Sequence, residues 1–275
     1  MSPDQSRLTA VTARLLGEVR SSSPLVQNIT NFVSMDVAAN VLLAIGASPA
    51  MVHAPEETPE FVGFSRALVI NIGTLSKQWV ESMEVATTAA HAQGTPWVLD
   101  PVGAGATRFR DQTVQKLLRH RPAVIRGNAS EIMAVARVAG LTTDAARPKG
   151  VDSSNTTSEA EELAILLARH CLCTVAATGA IDFVTDGQRS VRLSNGSPLM
   201  ARVTALGCSL SAVVGAFLGV ADDPFEAAVA AVGAYGVAGE IAAEKASGPG
   251  SYRVAFLDTL YAVGEADIQQ RLKVL

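Results

Sequence analysis

The sequence predicts an α/β fold, with a mainly parallel central sheet and helices on both faces. Three observations carry this. Short apolar runs alternate with stretches of helical periodicity through most of the chain. The run from Leu68 to Ile72 is almost continuously apolar, as a strand covered on both faces requires. The chain has 275 residues, 48% hydrophobic and 17% charged. That is enough apolar matter for a large core, and it excludes a disordered chain.

The elements follow in order. Leu8, Val11, Leu15 and Val19 share one helical face, with Ser2-Pro3 as the start signal. Residues 25–28 form a short strand. Residues 35–45 form a helix, stopped at Gly46, where a left-handed cap is expected. A strand at 50–52 and a short helix at 59–67 precede the strand at 68–72. A helix at 76–91 leads to a strand at 97–100, which ends in a carboxylate. Then come a helix at 113–120, a strand at 123–125 and a helix at 129–139. Residues 142–158, the most polar stretch, read as a surface loop. Ser158 with Glu161 reads as the capping box of a helix running to His170. A strand at 173–177 follows. Residues 183–185 and 191–193 flank Asp186-Gly187 as a β-hairpin. The remainder is helical, at 209–220, 224–246 and 252–263. With no internal repeat and no long linker, residues 1–275 read as one domain.

Composition narrows the partners. The net charge is −4, so no basic balance points to nucleic acid. The longest weakly polar stretches, 208–221 and 227–239, are broken by Ser and Gly and fall short of the ~20 apolar residues of a membrane span. The first residues lead into no apolar signal region. Three cysteines, an odd and sparse count, argue for a reducing cytoplasm over a disulfide framework. Cys171-Leu-Cys173 is too tight for a CxxC motif and reads as one edge of a buried strand.

Chemistry is expected beyond the carboxyl ends of the strands, where open α/β sheets bind ligands. Those ends carry Gln27-Asn28-Ile29-Thr30-Asn31, Met51, Asn71-Ile72-Gly73-Thr74, Asp100 to Gly105, Arg126 to Glu131, Thr178-Gly179, and Thr204 to Cys208. Turns are polar and glycine-rich in any fold. Seven turns with this bias nevertheless point to an active-site rim. No GxxxxGK[ST], GxGxxG or HExxH pattern occurs, and the four histidines are scattered.

Asp100 ends an otherwise apolar strand, and Glu131 lies in the first turn of the helix after the next strand. In a parallel sheet the two carboxylates would meet at one edge. Such an oxygen pair suits Mg²⁺, which keeps several waters. An Asp-Pro turn at Asp100 and helix-dipole stabilisation by Glu131 are the structural alternatives. Arg126 supplies a phosphate-binding fork, or else a partner for Glu131. Gly207-Cys208 precedes a small-residue helix whose start would bind an anion and lower the thiol pKa. It could equally be a small buried cap.

These stretches together resemble the hydroxyethylthiazole kinase family of the ribokinase-like superfamily. The matching segments are Gln27-Asn-Ile-Thr-Asn31, Leu42 to Met51, Asn71-Ile-Gly-Thr74, Leu99 to Thr107, Ile125 to Ile132, Lys149-Gly-Val-Asp-Ser153, Gly207-Cys208 and Gly248-Pro-Gly-Ser251. The resemblance implies transfer of the γ-phosphoryl of ATP to the hydroxyl of 4-methyl-5-(2-hydroxyethyl)thiazole. It further implies a homotrimer with thiazole pockets at subunit interfaces. Carried over by motif, Arg126, Thr178 and Gly207 contact ATP. Asn28, Met51, Gly73 and Ala205 serve the thiazole, and Asp100 and Glu131 serve Mg²⁺. Cys208 stands where most ribokinase-like kinases place a catalytic Asp, as a proton acceptor or as pocket lining. The family loop commonly reads Gly-x-Gly-Cys, whereas this chain has Ala205-Leu206-Gly207-Cys208. The Ala205 methyl would narrow backbone approach and Leu206 would add bulk nearby. A kinase for another small alcohol and a ribokinase-like ATP-dependent dehydratase are the rival readings.

Overall fold

The structure is a computed structural model that describes residues 3–141 and 153–275. Its described residues build a sheet of eight strands in the order β2-β1-β3-β4-β5-β6-β7-β8. The strands are β1 (Leu25–Ile29), β2 (Ser48–Ala50), β3 (Ala67–Asn71), β4 (Trp97–Asp100), β5 (Val124–Asn128), β6 (Thr174–Thr178), β7 (Asp182–Thr185) and β8 (Ser190–Leu193). The first six pair in parallel. The hairpin β7–β8 extends the sheet antiparallel. The α/β class and the mainly parallel sheet are therefore as expected.

Two apolar layers cover the sheet. On one face, Val26, Val69, Val98, Val124 and Ala176 pack under α1 (Pro3–Ser22), α2 (Met35–Ile45), α8 (Leu206–Leu218), α9 (Pro224–Lys245) and α10 (Pro249–Ala262). On the other, Leu68, Ile70, Leu99, Ile125 and Val175 pack under α3 (Thr58–Phe64), α4 (Lys77–Gln93), α5 (Arg108–Leu118), α6 (Ala129–Val138) and α7 (Ser153–Cys171). Alternate residues of each strand thus feed alternate layers. By length and composition α9 could cross a membrane, but 83% of its apolar window is buried against the rest of the chain.

Several boundaries differ from expectation, each for a local reason. Thr107 caps α5 by accepting from Arg110 N, so the helix begins at Arg108 rather than at 113. β2 is Ser48–Ala50 rather than 50–52, and beyond it Val52 O accepts from the Gln27 side chain instead of a strand partner. Ser158 lies within α7, which begins at Ser153, so the expected capping box is not that helix's start. The rest of the expected loop, 142–152, lies outside the described residues. α8 begins at Leu206, three residues early. A 3-10 turn at Pro198–Arg202 and a last helix, α11 (Glu265–Arg271), were not anticipated. Gly46 does stop α2, with φ 101°. Cys171 and Cys173 flank the turn between α7 and β6 instead of sharing a strand edge, with Leu172 between them at φ 53°.

α8 lies directly across the middle of the sheet, and Gly215 permits it. A Cβ there would come within 2.6 Å of Val69 Cγ2 and 3.1 Å of Val26 Cγ1. Gly215→Val should therefore lower stability by about 1–3 kcal/mol through overpacking, read by denaturant unfolding. An unchanged midpoint would mean that α8 does not rest on β1 and β3 in this way.

Candidate active site

The site follows from strand alternation. Asn28, Asn71, Asp100, Arg126 and Thr178 each stand two residues beyond the core residues Val26, Val69, Val98, Val124 and Ala176. Side chains two apart on a strand share a face. Five polar side chains from five strands therefore line up on the α8 side, at the carboxyl ends. The start of α8 is seated over this row.

Asp100 is the centre of the row. Its Oδ2 accepts from Asn71 Nδ2 at 2.7 Å and from Ser211 Oγ of α8 at 2.8 Å. Its Oδ1 is buried without a partner. Burial pushes the Asp100 pKa up to about 6, and the Glu131 charge adds to this against the pull of Arg126. Glu131 has two local tasks. Oε1 accepts from Gly103 N at 3.0 Å, and Oε2 accepts from Asn128 N at 2.8 Å in a full capping box at the start of α6. It thereby ties the loop after β4 to the end of β5.

Arg126 joins three elements. Nη1 donates to Gly207 O at 2.8 Å and Nη2 to Thr178 Oγ1 at 2.5 Å, while Nε is buried and unpartnered. The alternative reading of Arg126 as a partner for Glu131 is not what forms, since both terminal nitrogens face α8 and β6. Beside this bridge opens a cavity of about 540 Å³, lined by Arg126, Thr178, Gly207, Asp182, Ser197 and Tyr235 among others. Asp182, on the cavity wall, has its pKa raised to about 6 by burial.

Cys208 is partly buried in the first turn of α8. Its Sγ accepts from Asn31 Nδ2 at 3.4 Å. Burial and the nearby Asp100 push the thiol pKa up, although the Asn71 and Asn31 amides oppose the shift. The expected lowering at a helix start is outweighed, and the resting group is the thiol. Ala205 caps α8 in the left-handed region, at φ 64°, which ordinarily favours glycine. Leu206 turns into the core and the cavity wall, and its carbonyl accepts from Tyr235. Its bulk therefore joins the packed interior.

Asp100, Arg126, Thr178, Gly207 and Cys208 are brought together. Gly73 joins them through its N–H, which donates to Asn71 Oδ1 at 2.9 Å. Asn28 shares the row; its Nδ2 donates to Val26 O and its Oδ1 is buried without a partner. Met51 follows β2 and packs against the α8-side core. Asn31, Asn71, Ser211 and Asp182 were given no role from the sequence. Asn71 carried the same signal as Asp100, a polar residue closing an apolar strand.

The model of the hydroxyethylthiazole kinase family matches residues 16–266. The chain belongs to that family. A hydroxyethylthiazole kinase of Cereibacter sphaeroides is 56% identical over 248 residues, covering 90% of this chain and 92% of that protein. One from Rhizobium etli is 52% identical over 261 residues, 94% of this chain and 99% of that protein. Among solved structures, the hydroxyethylthiazole kinase protein of Pyrococcus horikoshii matches with a TM-score of 0.88 at 43% identity, covering 96% of this chain and 98% of that one. A Staphylococcus aureus pyridoxal kinase matches with a TM-score of 0.57 at 14% identity, covering 79% of this chain and 88% of that one, a likeness of fold. This hydroxyethylthiazole kinase family member is thus a ribokinase-like kinase, and ATP is its co-substrate.

The Asp100 carboxylate yields a prediction. A carboxyl whose folded pKa exceeds its unfolded value holds its proton more tightly when folded. Stability is therefore lost as pH rises from about 4 through 6. Asp100→Asn should make the ligand-free protein more stable at pH 7.5, by about 1–3 kcal/mol. The gain should shrink toward zero near pH 4, measured by denaturant unfolding. No gain at pH 7.5 would mean that burial does not penalise the charge.

Proposed function

We propose that the protein transfers the γ-phosphoryl group of ATP to the hydroxyl of 4-methyl-5-(2-hydroxyethyl)thiazole, with Mg²⁺, in thiamine salvage. The observation that carries this reading is the polar row beneath the start of α8, opening on the cavity beside Arg126. It occurs in a chain of the family named for that activity.

The residues suit phosphoryl transfer, which needs positioning and charge stabilisation more than covalent help. The first N–H groups of α8 have no helical partner and carry the positive end of the helix dipole. Gly207 and Cys208 would present these to the transferring group. Arg126, with Thr178 beside it, would hold the nucleotide phosphates from the cavity side. Asn28, Met51, Gly73 and Ala205 would border the thiazole, Met51 offering a soft, adaptable side chain to a sulfur heterocycle.

The donor set fits a hydrated Mg²⁺ better than a dehydrated cage. Among the described residues no three His, Cys, Asp or Glu side chains gather. Two carboxylates are available, one with a buried oxygen lacking any partner. Asp100 and Glu131 would hold the ion, which supplies charge neutralisation of the phosphates. The raised thiol pKa disfavours a ready-formed Cys208 thiolate, which favours Cys208 as pocket lining over Cys208 as the proton acceptor.

We further read the protein as a cytoplasmic homotrimer. Three free cysteines suit a reducing compartment. Phe32 and Val33, exposed beside the site, offer apolar surface to a second copy.

An ADP-release assay with a panel of alcohols tests the central reading. Turnover should require both the thiazole alcohol and Mg²⁺, and should exceed that with hydroxymethylpyrimidine or pyridoxal. Equal ADP release with and without the thiazole would contradict it.

A further inference from the structure

Asn31 lies in the turn between β1 and α2, buried, with every side-chain hydrogen-bonding group engaged. Its Oδ1 accepts from Val33 N and Ser34 N, both at 3.0 Å, which shapes the turn. Its Nδ2 donates to Asn71 Oδ1 at 2.8 Å and to Cys208 Sγ at 3.4 Å. Asn71 Nδ2 donates onward to Asp100 Oδ2, which also accepts from Ser211 Oγ. Cys208 and Ser211 both belong to the first turns of α8. The chain of bonds thus leaves α8 at Cys208, crosses three loops and strand ends, and returns to α8 at Ser211.

The packing around Asn31 is equally fixed. A Cβ at Gly73 would sit 2.6 Å from Asn31 Nδ2 and 2.7 Å from its Cβ and Cγ. Gly73 is therefore the residue that leaves room for the Asn31 amide. The turn is also tied on its far side, where Phe32 N donates to Thr74 Oγ1 at 3.1 Å.

We propose that Asn31 is a positioning residue for phosphoryl transfer: its amide N–H fixes the Cys208 sulfur at the start of α8, with Asn71 and Asp100 behind it. Because the sulfur accepts from Asn31, the thiol hydrogen is directed away from Asn31. The same amide connects the β1–α2 turn to the helix start, so the two sides of the reaction site keep one relative placement. Small misplacements of reacting groups cost rate more than binding. The inference rests on the reading that Cys208 contributes to turnover at the site, whether by taking a proton or by packing against the reacting groups.

The two halves of the Asn31 side chain can be separated. Asn31→Asp keeps an acceptor for Val33 N and Ser34 N but loses the donor to both Cys208 and Asn71. A residue that only shaped the turn would be rescued by Asp. A positioning residue would not be. Asn31→Ala, Cys208→Ala and the double variant complete a cycle, with melting curves to establish folding.

Asn31→Asp and Asn31→Ala should each lower kcat by about tenfold or more, with KM for ATP changed by less than about threefold. In the Cys208→Ala background, Asn31→Ala should cost less than about twofold more. Wild-type kcat in Asn31→Asp would overturn the proposal, and so would an equal loss from Asn31→Ala in both backgrounds. Wild-type kcat in Cys208→Ala would instead overturn the reading of Cys208 on which the proposal rests. If Asn31→Ala fails to fold, the Asn31→Asp measurement decides.

Discussion

The site depends on the seating of the α8 start over the carboxyl ends of β3 to β6. Two bonds set it. Ser211 Oγ donates to Asp100, and Arg126 donates to Gly207 O. One anchors the helix to β4 and the other to β5, and both lie within its first two turns. Gly215 then lets the rest of the helix lie against Val69 and Val26. Without this seating, Leu206 and Gly207 at the helix start would not line the cavity, and the polar row would be five separate strand ends.

Such seating carries a cost in charge. Asp100 and Arg126 are both buried, and each retains one unpartnered polar atom, Oδ1 and Nε. Buried polar atoms without partners ordinarily cost about 1–3 kcal/mol each. A core built for stability alone would fill this place with apolar side chains. Oxygen and nitrogen left unsatisfied at the same strand ends are what a site for a charged substrate and a hard cation requires. The raised pKa of Asp100 is the same fact seen through protonation. Destabilised groups sit where a ligand would stabilise them.

The sheet was legible in the sequence because its strands are buried on both faces and bounded by polar turns. Helix starts were less so where the signal is one side chain. Thr107 caps α5 six residues before the expected start at 113, and α8 is capped by Ala205, whose positive φ no residue preference announces. Cys171 and Cys173 suggested a strand by composition, but the left-handed Leu172 between them makes a turn. The strand-end row was legible in its charged members, Asp100 and Arg126, because buried charge is conspicuous. Asn31 and Asn71 were visible as polar residues at strand ends and within the matching segments, but without a role. Their importance comes from contacts between positions 31, 71 and 208, which no local pattern encodes. The direction of the Cys208 pKa was likewise hidden: the helix start is local, but the burial and the Asp100 charge that outweigh it are tertiary.

The account rests most directly on Arg126 as the bridge between α8, β6 and the cavity. Arg126→Lys tests it, because lysine keeps the charge but has no planar fork to reach Gly207 O and Thr178 Oγ1 together. Steady-state kinetics should show kcat/KM for ATP falling by about 10- to 100-fold, the worth of one or two charged hydrogen bonds. The melting temperature should change little. Kinetics equal to those of the parent protein would contradict the claim that this bridge organises the site.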